Sequence, residues 1–462
     1  MTSPRLFLLA DIGSTFTKVA LVDPSDGSVR ASGAAPTTVD TDVNEGFDAA
    51  CANARVSVDD AADVRVCSSA AGGLKIAAVG LMPELTAQAA QLAALGAGGK
   101  VTATFSHRLN DADIDRMRQL APDIVLLAGG TDGGNSRYIL ENSRRLQSEC
   151  PAVAVIVAGN RDTYDELRTI YGDREDVYYT DNVMPVFGEL VLDPARERIR
   201  SVFLERIVHA KGLDRLRSRA RILMPTPEAV LRATVLLSNG CEGEPGLGEL
   251  LAVDMGGATT DVYSCADGSP NSLNAVQKGL VEPHDKRTVE ADIGMSYTLP
   301  YLCEQMERAD AGDAQDVTPD EVRAWLTAVE ADPSRCARTD AERRVVAHAA
   351  RVGCRIAVTR HCGRLEETFT PDGRMFMQFG KDLTGVKLVI GSGGAIARAP
   401  DPRVVLAGAA RSGDATALTP REPDFLVDAA YIMWAAGLLA EDEPRGALLL
   451  MKNSIAPATR AA

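Results

Sequence analysis

Asp11 lies in the run Leu9-Ala10-Asp11-Ile12-Gly13-Ser14-Thr15-Phe16-Thr17-Lys18-Val19, and Asp254 lies in Ala252-Val253-Asp254-Met255-Gly256-Gly257-Ala258-Thr259-Thr260-Asp261-Val262. Superposing the two aspartates brings Gly13 onto Gly256, Thr17 onto Thr260 and Val19 onto Val262. An acid at a strand end, followed by glycine and hydroxyl residues in a tight turn, suits a magnesium nucleotide. Glycine lets backbone N–H groups come close to phosphate oxygens. Ser14, Thr15, Thr17, Thr259 and Thr260 add hydroxyl donors, and a carboxylate set back from the phosphate holds Mg²⁺, usually through its water shell. Asp11 and Asp254 are therefore the expected magnesium and catalytic carboxylates, with Asp261 in support. Lys18 either neutralises phosphate charge or points to solvent. Each hairpin alone could be an ordinary glycine turn, whereas the pair suggests two similar domains closing on one triphosphate.

A third element is Val389-Ile390-Gly391-Ser392-Gly393-Gly394-Ala395-Ile396-Ala397. A strand that ends in bare backbone at Gly391, Gly393 and Gly394 offers a flat ring and ribose a surface to lie against. Gly129-Gly130-Thr131-Asp132-Gly133-Gly134 also follows an apolar run, and is either a binding loop, for a client or a second anion, or a plain strand-to-helix connection. Leu95-Gly96-Ala97-Gly98-Gly99-Lys100-Val101 imitates a P-loop, but Ala94 and Val101 stand where glycine and Ser/Thr are required.

Short apolar runs at 6–10, 64–68, 124–128, 153–158, 250–253 and 387–390 read as strands buried on both faces, the habit of α/β sheets. Helical spacing covers 85–95, 196–209, 227–237, 321–329 and 425–439, the last expected as a core helix returning across the domains. Thr318, Pro319 and Glu321 form a capping box at one helix start. Thr226 and Pro227 predict another start, with Thr226 as N-cap. The Gly- and Glu-rich stretch 239–249 separates the two halves.

With 49 basic and 64 acidic residues the net charge is −15, a poor basis for holding nucleic acid through bulk electrostatics. No apolar run reaches the roughly 18–20 residues that span a bilayer, and the N-terminus does not read as a signal peptide. The expectation is a cytoplasmic protein without membrane or nucleic-acid partners. Nine cysteines with no CxxC argue against zinc or a redox pair and for reduced, inert thiols.

In their order, the three glycine elements resemble the phosphate-1, phosphate-2 and adenosine motifs of the actin, Hsp70 and sugar-kinase superfamily. Met224-Pro225-Thr226-Pro227-Glu228-Ala229-Val230 looks like its connecting element. Within that superfamily the chain resembles the GlmL (MutL) accessory proteins of adenosylcobalamin-dependent glutamate mutase. Further matching segments are Ser68-Ser69-Ala70-Ala71-Gly72-Gly73-Leu74, the 126–134 stretch, Val157-Ala158-Gly159-Asn160, Asp181-Asn182-Val183-Met184-Pro185 and Arg287-Thr288-Val289-Glu290.

The resemblance implies an α/β, two-lobed actin-like ATPase with duplicated ribonuclease-H-like domains and a central nucleotide cleft. Lobe I would span 1–245, with an inserted α/β subdomain, and lobe II 246–424. A C-terminal helix in 425–462 would pack back on lobe I. It also implies ATP and Mg²⁺ as cofactors and the subunits of an adenosylcobalamin-dependent mutase as partners, and it leaves room for a homodimer. Where Hsp70-like members place a water-positioning glutamate before the connecting proline, this chain has Met224. Asp254 then becomes the first candidate for that role, with Asp11 on Mg²⁺, Thr259 on the γ-phosphate and Glu228, one turn into the helix, as another candidate. Two other readings stay open: a small-molecule kinase or hydantoinase- and oxoprolinase-like amide hydrolase, and an activator ATPase for a radical dehydratase.

Overall fold

A computed structural model of the 462-residue chain describes residues 5–38, 41–69, 74–206, 212–272, 274–308, 317–371, 373–410 and 413–459. Ala70, Ala71, Gly72 and Gly73 of the matching segment after Ser69, and the end of the helix expected over 196–209, lie outside the described residues. The chain forms two compact units. One comprises Met1–Ala71, His209–Lys278 and His284–Ala462, and the other Gly72–Val208 with Gly279–Pro283.

The first unit begins with β1 (Phe7–Ile12), β2 (Phe16–Asp23), β3 (Ser28–Pro36) and β4 (Asp63–Ser68). The chain then enters the second unit, whose strands are β5 (Lys75–Gly80), β6 (Lys100–Ser106), β7 (Ile124–Leu127), β8 (Ala154–Val157) and β9 (Val177–Tyr179). It returns at β10 (Arg221–Pro225) and passes a short ribbon, β11 (Gly240–Cys241) and β12 (Glu244–Pro245), within the stretch expected to separate the halves. Next come β13 (Leu250–Met255), β14 (Thr260–Cys265), β15 (Ala275–Lys278), β16 (Asp285–Glu290), β17 (Arg364–Thr370), β18 (Gly373–Phe379), β19 (Leu388–Ser392), β20 (Asp424–Asp428) and β21 (Ile455–Pro457).

The first sheet has the order β3-β2-β1-β4-β10 and the second β16-β14-β13-β19-β20-β21. In each, an antiparallel hairpin takes a third antiparallel strand on one side and two parallel strands on the other. Five strands therefore recur in the same order, and the duplicated ribonuclease-H-like cores of an actin-like fold are in place. The repetition extends to register, with Asp11 opposite Lys18 and Asp254 opposite Asp261. Every residue of β1 is buried, which explains its unbroken apolar run.

A helix follows the last parallel strand of each core, Thr226–Asn239 after β10 and Met433–Leu439 after β20. These helices pack together in one apolar cluster with β1 and β13, through Ala229, Ala233, Leu237, Trp434 and Leu438. The helix expected over 425–439 is corrected by this arrangement. Its first residues form β20, which pairs in parallel with β19. A short apolar run fits a buried strand as well as a helix, and Phe425-Leu426-Val427 favours the strand. The capping box at Thr318 forms as expected. Thr226 does not cap: Pro225 takes the N-cap place and Thr226 is the first helical residue.

In the second unit a five-stranded sheet runs in the order β6-β5-β7-β8-β9, parallel throughout. This is a doubly wound order, whose switch point lies between β5 and β7. The imitation P-loop is a helix end followed by β6. Among the described residues, no helix is long and apolar enough to cross a membrane.

Candidate nucleotide site

A cleft of about 810 Å³ in the first unit is lined by both hairpin turns, with Asp11, Gly13, Ser14, Thr15 and Lys18 from one. The other contributes Asp254, Gly256, Gly257, Thr259 and Asp261. This volume suits a ligand of nucleotide size. The first glycine of each turn closes it: Gly13 N–H donates to the Phe16 carbonyl at 3.2 Å, and Gly256 N–H to that of Thr259 at 2.9 Å. A Cβ on Gly257 would lie 2.9 Å from Thr15 Oγ1, so the turn tips approach each other closely. Thr15 Oγ1 is itself buried without a hydrogen-bond partner, a costly state unless a ligand accepts its proton.

The two aspartates sit in different electrostatic surroundings. Asp11 is 2% exposed, and its Oδ2 accepts from Lys18 Nζ at 2.8 Å. Its Oδ1 accepts from Thr226 Oγ1 at 2.6 Å, the bond that takes the Thr226 side chain away from a capping role. Lys18 Nζ lies 4.2 Å from the Tyr431 ring centroid, close enough for a cation–π contact. Burial opposes the Lys18 charge, but Asp11, Tyr431 and Asp254 outweigh it and hold the ammonium above the ordinary lysine range. Lys18 therefore faces the cleft as the partner of Asp11.

Asp254 has a carboxylate, Asp261, where Asp11 has an ammonium. Burial first, and Asp261 second, push the Asp254 carboxyl up to about 7. Its Oδ1 is buried with no hydrogen-bond partner. Asp261 is held by Arg287, whose Nε and Nη2 reach its Oδ1 at 2.8 and 2.6 Å. Thr259 Oγ1 donates to Asp261 Oδ2 at 3.4 Å.

Other expected site residues are placed away from the cleft lining. Thr17 and Thr260 are fully buried on the far side of their strands: Thr17 Oγ1 shares a hydrogen bond with Thr37 Oγ1, and Thr260 Oγ1 donates to the Ile293 carbonyl. Gly391 and Gly393 are packing positions, since a Cβ would strike Ile396 in the first case and the Met255 carbonyl in the second. Gly394 does line the cleft, with open space where a Cβ would be. Glu228 is 7% exposed and ion-paired with Arg232 one turn along its helix at 3.0 Å.

Six further lining residues have little or no signal in the sequence. Thr226 has a local one, its place before Pro227, which points to a cap. Tyr431 has φ +51°, the left-handed region that bulky residues avoid, and no local signal marks it. It is held there by Asp428, whose carbonyl accepts the Tyr431 N–H at 3.1 Å. The Asp428 carboxylate in turn accepts from Ile432 N–H, Met433 N–H, Ser392 Oγ and Ser454 Oγ. Trp325 lines the cleft together with Arg335, Arg343 and Arg398.

Among the described residues no three His, Cys, Asp or Glu side chains form a group that could hold a metal ion alone. Two carboxylates, one with an orphaned oxygen, are nevertheless a fitting donor set for Mg²⁺, which is commonly held by one or two carboxylates plus substrate phosphates. None of the nine cysteines, all among the described residues, forms a disulfide.

The fold and this cleft can be set beside known proteins. The family model described as MutL protein matches residues 7–455. Protein MutL of Clostridium tetanomorphum is 40% identical over 455 residues, covering 97% of this chain and 98% of that protein. Among solved structures, component A of (R)-2-hydroxyglutaryl-CoA dehydratase from Acidaminococcus fermentans aligns with 97% of this chain and 98% of its own, at 8% identity and TM-score 0.32. A xylulose kinase from Bifidobacterium adolescentis aligns over 99% and 95%, at 13% identity and TM-score 0.33. A glycerol dehydratase reactivase aligns over 94% and 99%, at 12% identity and TM-score 0.32. These three likenesses are distant, whereas the first two findings span nearly the whole sequence: the chain belongs to the MutL protein family.

Proposed function

We propose that this chain is a cytoplasmic, ATP-dependent accessory protein that reactivates an adenosylcobalamin-dependent mutase, with glutamate mutase as the client. The observation that carries the ATPase reading is the convergence of Asp11 and Asp254 on one cleft, with matching glycine turns beside them. The proposed lobes are 1–245 and 246–424, with 425–462 completing the second core and packing back on the first.

Asp11 and Asp254 would hold Mg²⁺, which supplies positive charge against the triphosphate. Backbone N–H groups beyond Gly13 and Gly256, with Ser14, Thr15 and Thr259, would bind phosphate oxygens, and Gly394 would leave room for the adenosine. In hydrolysis a water oxygen bonds to the γ-phosphorus as the bond to the β–γ bridging oxygen breaks. Asp254, whose Oδ1 is buried with no partner in the protein, would be the carboxylate that takes the water's proton. Lys18 and Thr226 fix the Asp11 carboxylate so that it cannot turn away. Closing the cleft on ATP would shift the surfaces that hold or release the client.

The test is capture of purified glutamate mutase on this protein with ATP, with ADP and with neither, alongside phosphate release. Nucleotide-sensitive capture with ATP hydrolysis supports the proposal. Phosphorylation of a small metabolite without capture would instead make the chain a kinase.

A further inference from the structure

Asp11 is reached from both cores. In its own core, the junction between β10 and the following helix brings Thr226 Oγ1 to Asp11 Oδ1 at 2.6 Å. Asp11 Oδ2 accepts from Lys18 Nζ at 2.8 Å, and the Tyr431 ring lies over that ammonium, with Nζ 4.2 Å from its centroid. Tyr431 belongs to the corresponding junction of the second core, between β20 and its helix. If the repeat were strict, that junction would serve Asp254. Asp254 Oδ1 instead has no hydrogen-bond partner, and the aromatic ring is turned to the lysine of the other core.

The turn that carries Tyr431 is held against its own preference. Its φ of +51° lies where a Cβ crowds the following carbonyl oxygen. Tyr431 N–H donates to the Asp428 carbonyl at 3.1 Å, and Trp434 Nε1 donates to the Tyr431 carbonyl at 2.8 Å. Before it, Ala429 N–H reaches the Ser454 carbonyl and Ala430 N–H the Ser454 hydroxyl, both at 3.2 Å. After it, the Ile432 and Met433 N–H groups converge on Asp428 Oδ2 at 2.8 and 3.0 Å. Strain that a fold over-determines in this way collects at working sites, and Tyr431 lines the cleft. An aromatic face attracts an ammonium most strongly where water is scarce, and the Lys18 and Asp11 side chains are only 19% and 3% exposed. The ring thus fixes where Nζ stands, and Nζ fixes Oδ2.

We propose that Tyr431 is a positioning residue for ATP hydrolysis, acting through Lys18 to set the orientation of the Asp11 carboxylate. The proposal rests on the ATPase reading above. It also gives the second core a hold on an aspartate of the first. The helices that follow the two junctions pack together, where a Cβ on Gly437 would strike the Ala229 carbonyl. A slip between these helices is then felt at both oxygens of Asp11, through Thr226 at one and through Lys18 at the other.

The experiment compares full-length wild type, Y431F, Y431L, K18M and Y431L/K18M in phosphate release over a series of ATP concentrations. Y431L, which removes the aromatic face, is expected to lower kcat about tenfold with KM within about twofold of wild type. Y431F, which keeps the face, is expected to stay within about threefold in kcat. In the K18M background the Y431L change should cost less than about twofold, because the group it acts through is gone. Lys18 acetylation by acetic anhydride, followed by mass spectrometry, should be faster in Y431L and unchanged in Y431F. If Y431L shows no cooperative melting, Y431G, a residue at home at this φ, takes its place. If K18M shows no turnover, the acetylation rates decide in place of the double variant. Wild-type kcat in Y431L, a matching loss in Y431F, a rise in KM in step with the fall in kcat, an undiminished loss in K18M or equal acetylation throughout each overturns the positioning role and leaves the ATPase reading standing. No ATP hydrolysis by the wild type overturns both.

Discussion

Lys18 and Asp261 stand at the same register position of two matching hairpins, each directly across from the aspartate on the other strand of its hairpin. One repeat therefore places an ammonium beside Asp11, and the other a carboxylate beside Asp254. The duplicated scaffold is symmetric and its electrostatics are not. That difference gives two chemically identical side chains different surroundings: Asp11 is held by Lys18 and Thr226, whereas burial and Asp261 push the Asp254 carboxyl up to about 7.

In the protein without nucleotide or Mg²⁺, the ionised fraction of Asp254, followed by its carboxyl infrared absorption, should rise through about pH 7 and then level off. In D261N the neighbouring negative charge is gone, and the midpoint should fall by about one pH unit. Stability should run the other way in the nucleotide-free protein. A carboxyl raised from 3.8 to about 7 binds its proton more tightly folded than unfolded, so its contribution is present below the unfolded value and lost as pH rises through 7. Urea titrations across pH 4–8 should show that decline in wild type and a smaller one in D254N.

Removing either aspartate should abolish hydrolysis, by about a hundredfold or more, but the two losses should differ in stability. Asp11→Ala leaves the Lys18 ammonium without its 2.8 Å partner and should cost on the order of 1–3 kcal/mol. Asp254→Ala removes an acid with an unpaired buried oxygen and should be neutral or stabilising. Denaturant midpoints together with phosphate release would check both. Wild-type turnover in either variant would exclude that carboxylate from the mechanism.

Thr226 acts through Asp11. T226A should lower kcat about tenfold and, by leaving the buried Asp11 Oδ1 without its donor, cost about 1–3 kcal/mol, and T226S, which keeps the hydroxyl, should restore both. An equal loss in T226S would point to packing instead.

Gly437 and Ala229 mark where the two repeat-equivalent helices come closest. A Cβ on Gly437 would fall inside the contact shell of the Ala229 carbonyl oxygen. G437A should therefore cost about 1–3 kcal/mol, read as a lower melting temperature, and G437L more.

The two glycine hairpins could be read in the sequence because a tight turn is local: aspartate, glycine and hydroxyls fall within a few residues, and the second copy repeats the spacing. Which hydroxyl faces the cleft was less legible. Alternation along β2 and β14 sends Thr17 and Thr260 inward, a consequence of where the sheet's core lies. Tyr431 and Thr226 meet Asp11 and Lys18 only after hundreds of residues have folded between them, so spacing carries no trace of them. β20 reads as helix in the sequence because a buried parallel strand and a buried helix share an unbroken apolar composition. In the second unit the runs at β7 and β8 stood out, while the three residues of β9 are too few to show a period.

The excursion between β4 and β10 has an evolutionary corollary. These strands are adjacent in one sheet, so apart from the short return at Gly279–Pro283 the second unit leaves the first at one seam, and what is spliced in there carries its own backbone pairing. Substitutions within that cassette leave the residues lining the cleft unchanged, and the two parts are free to drift at separate rates.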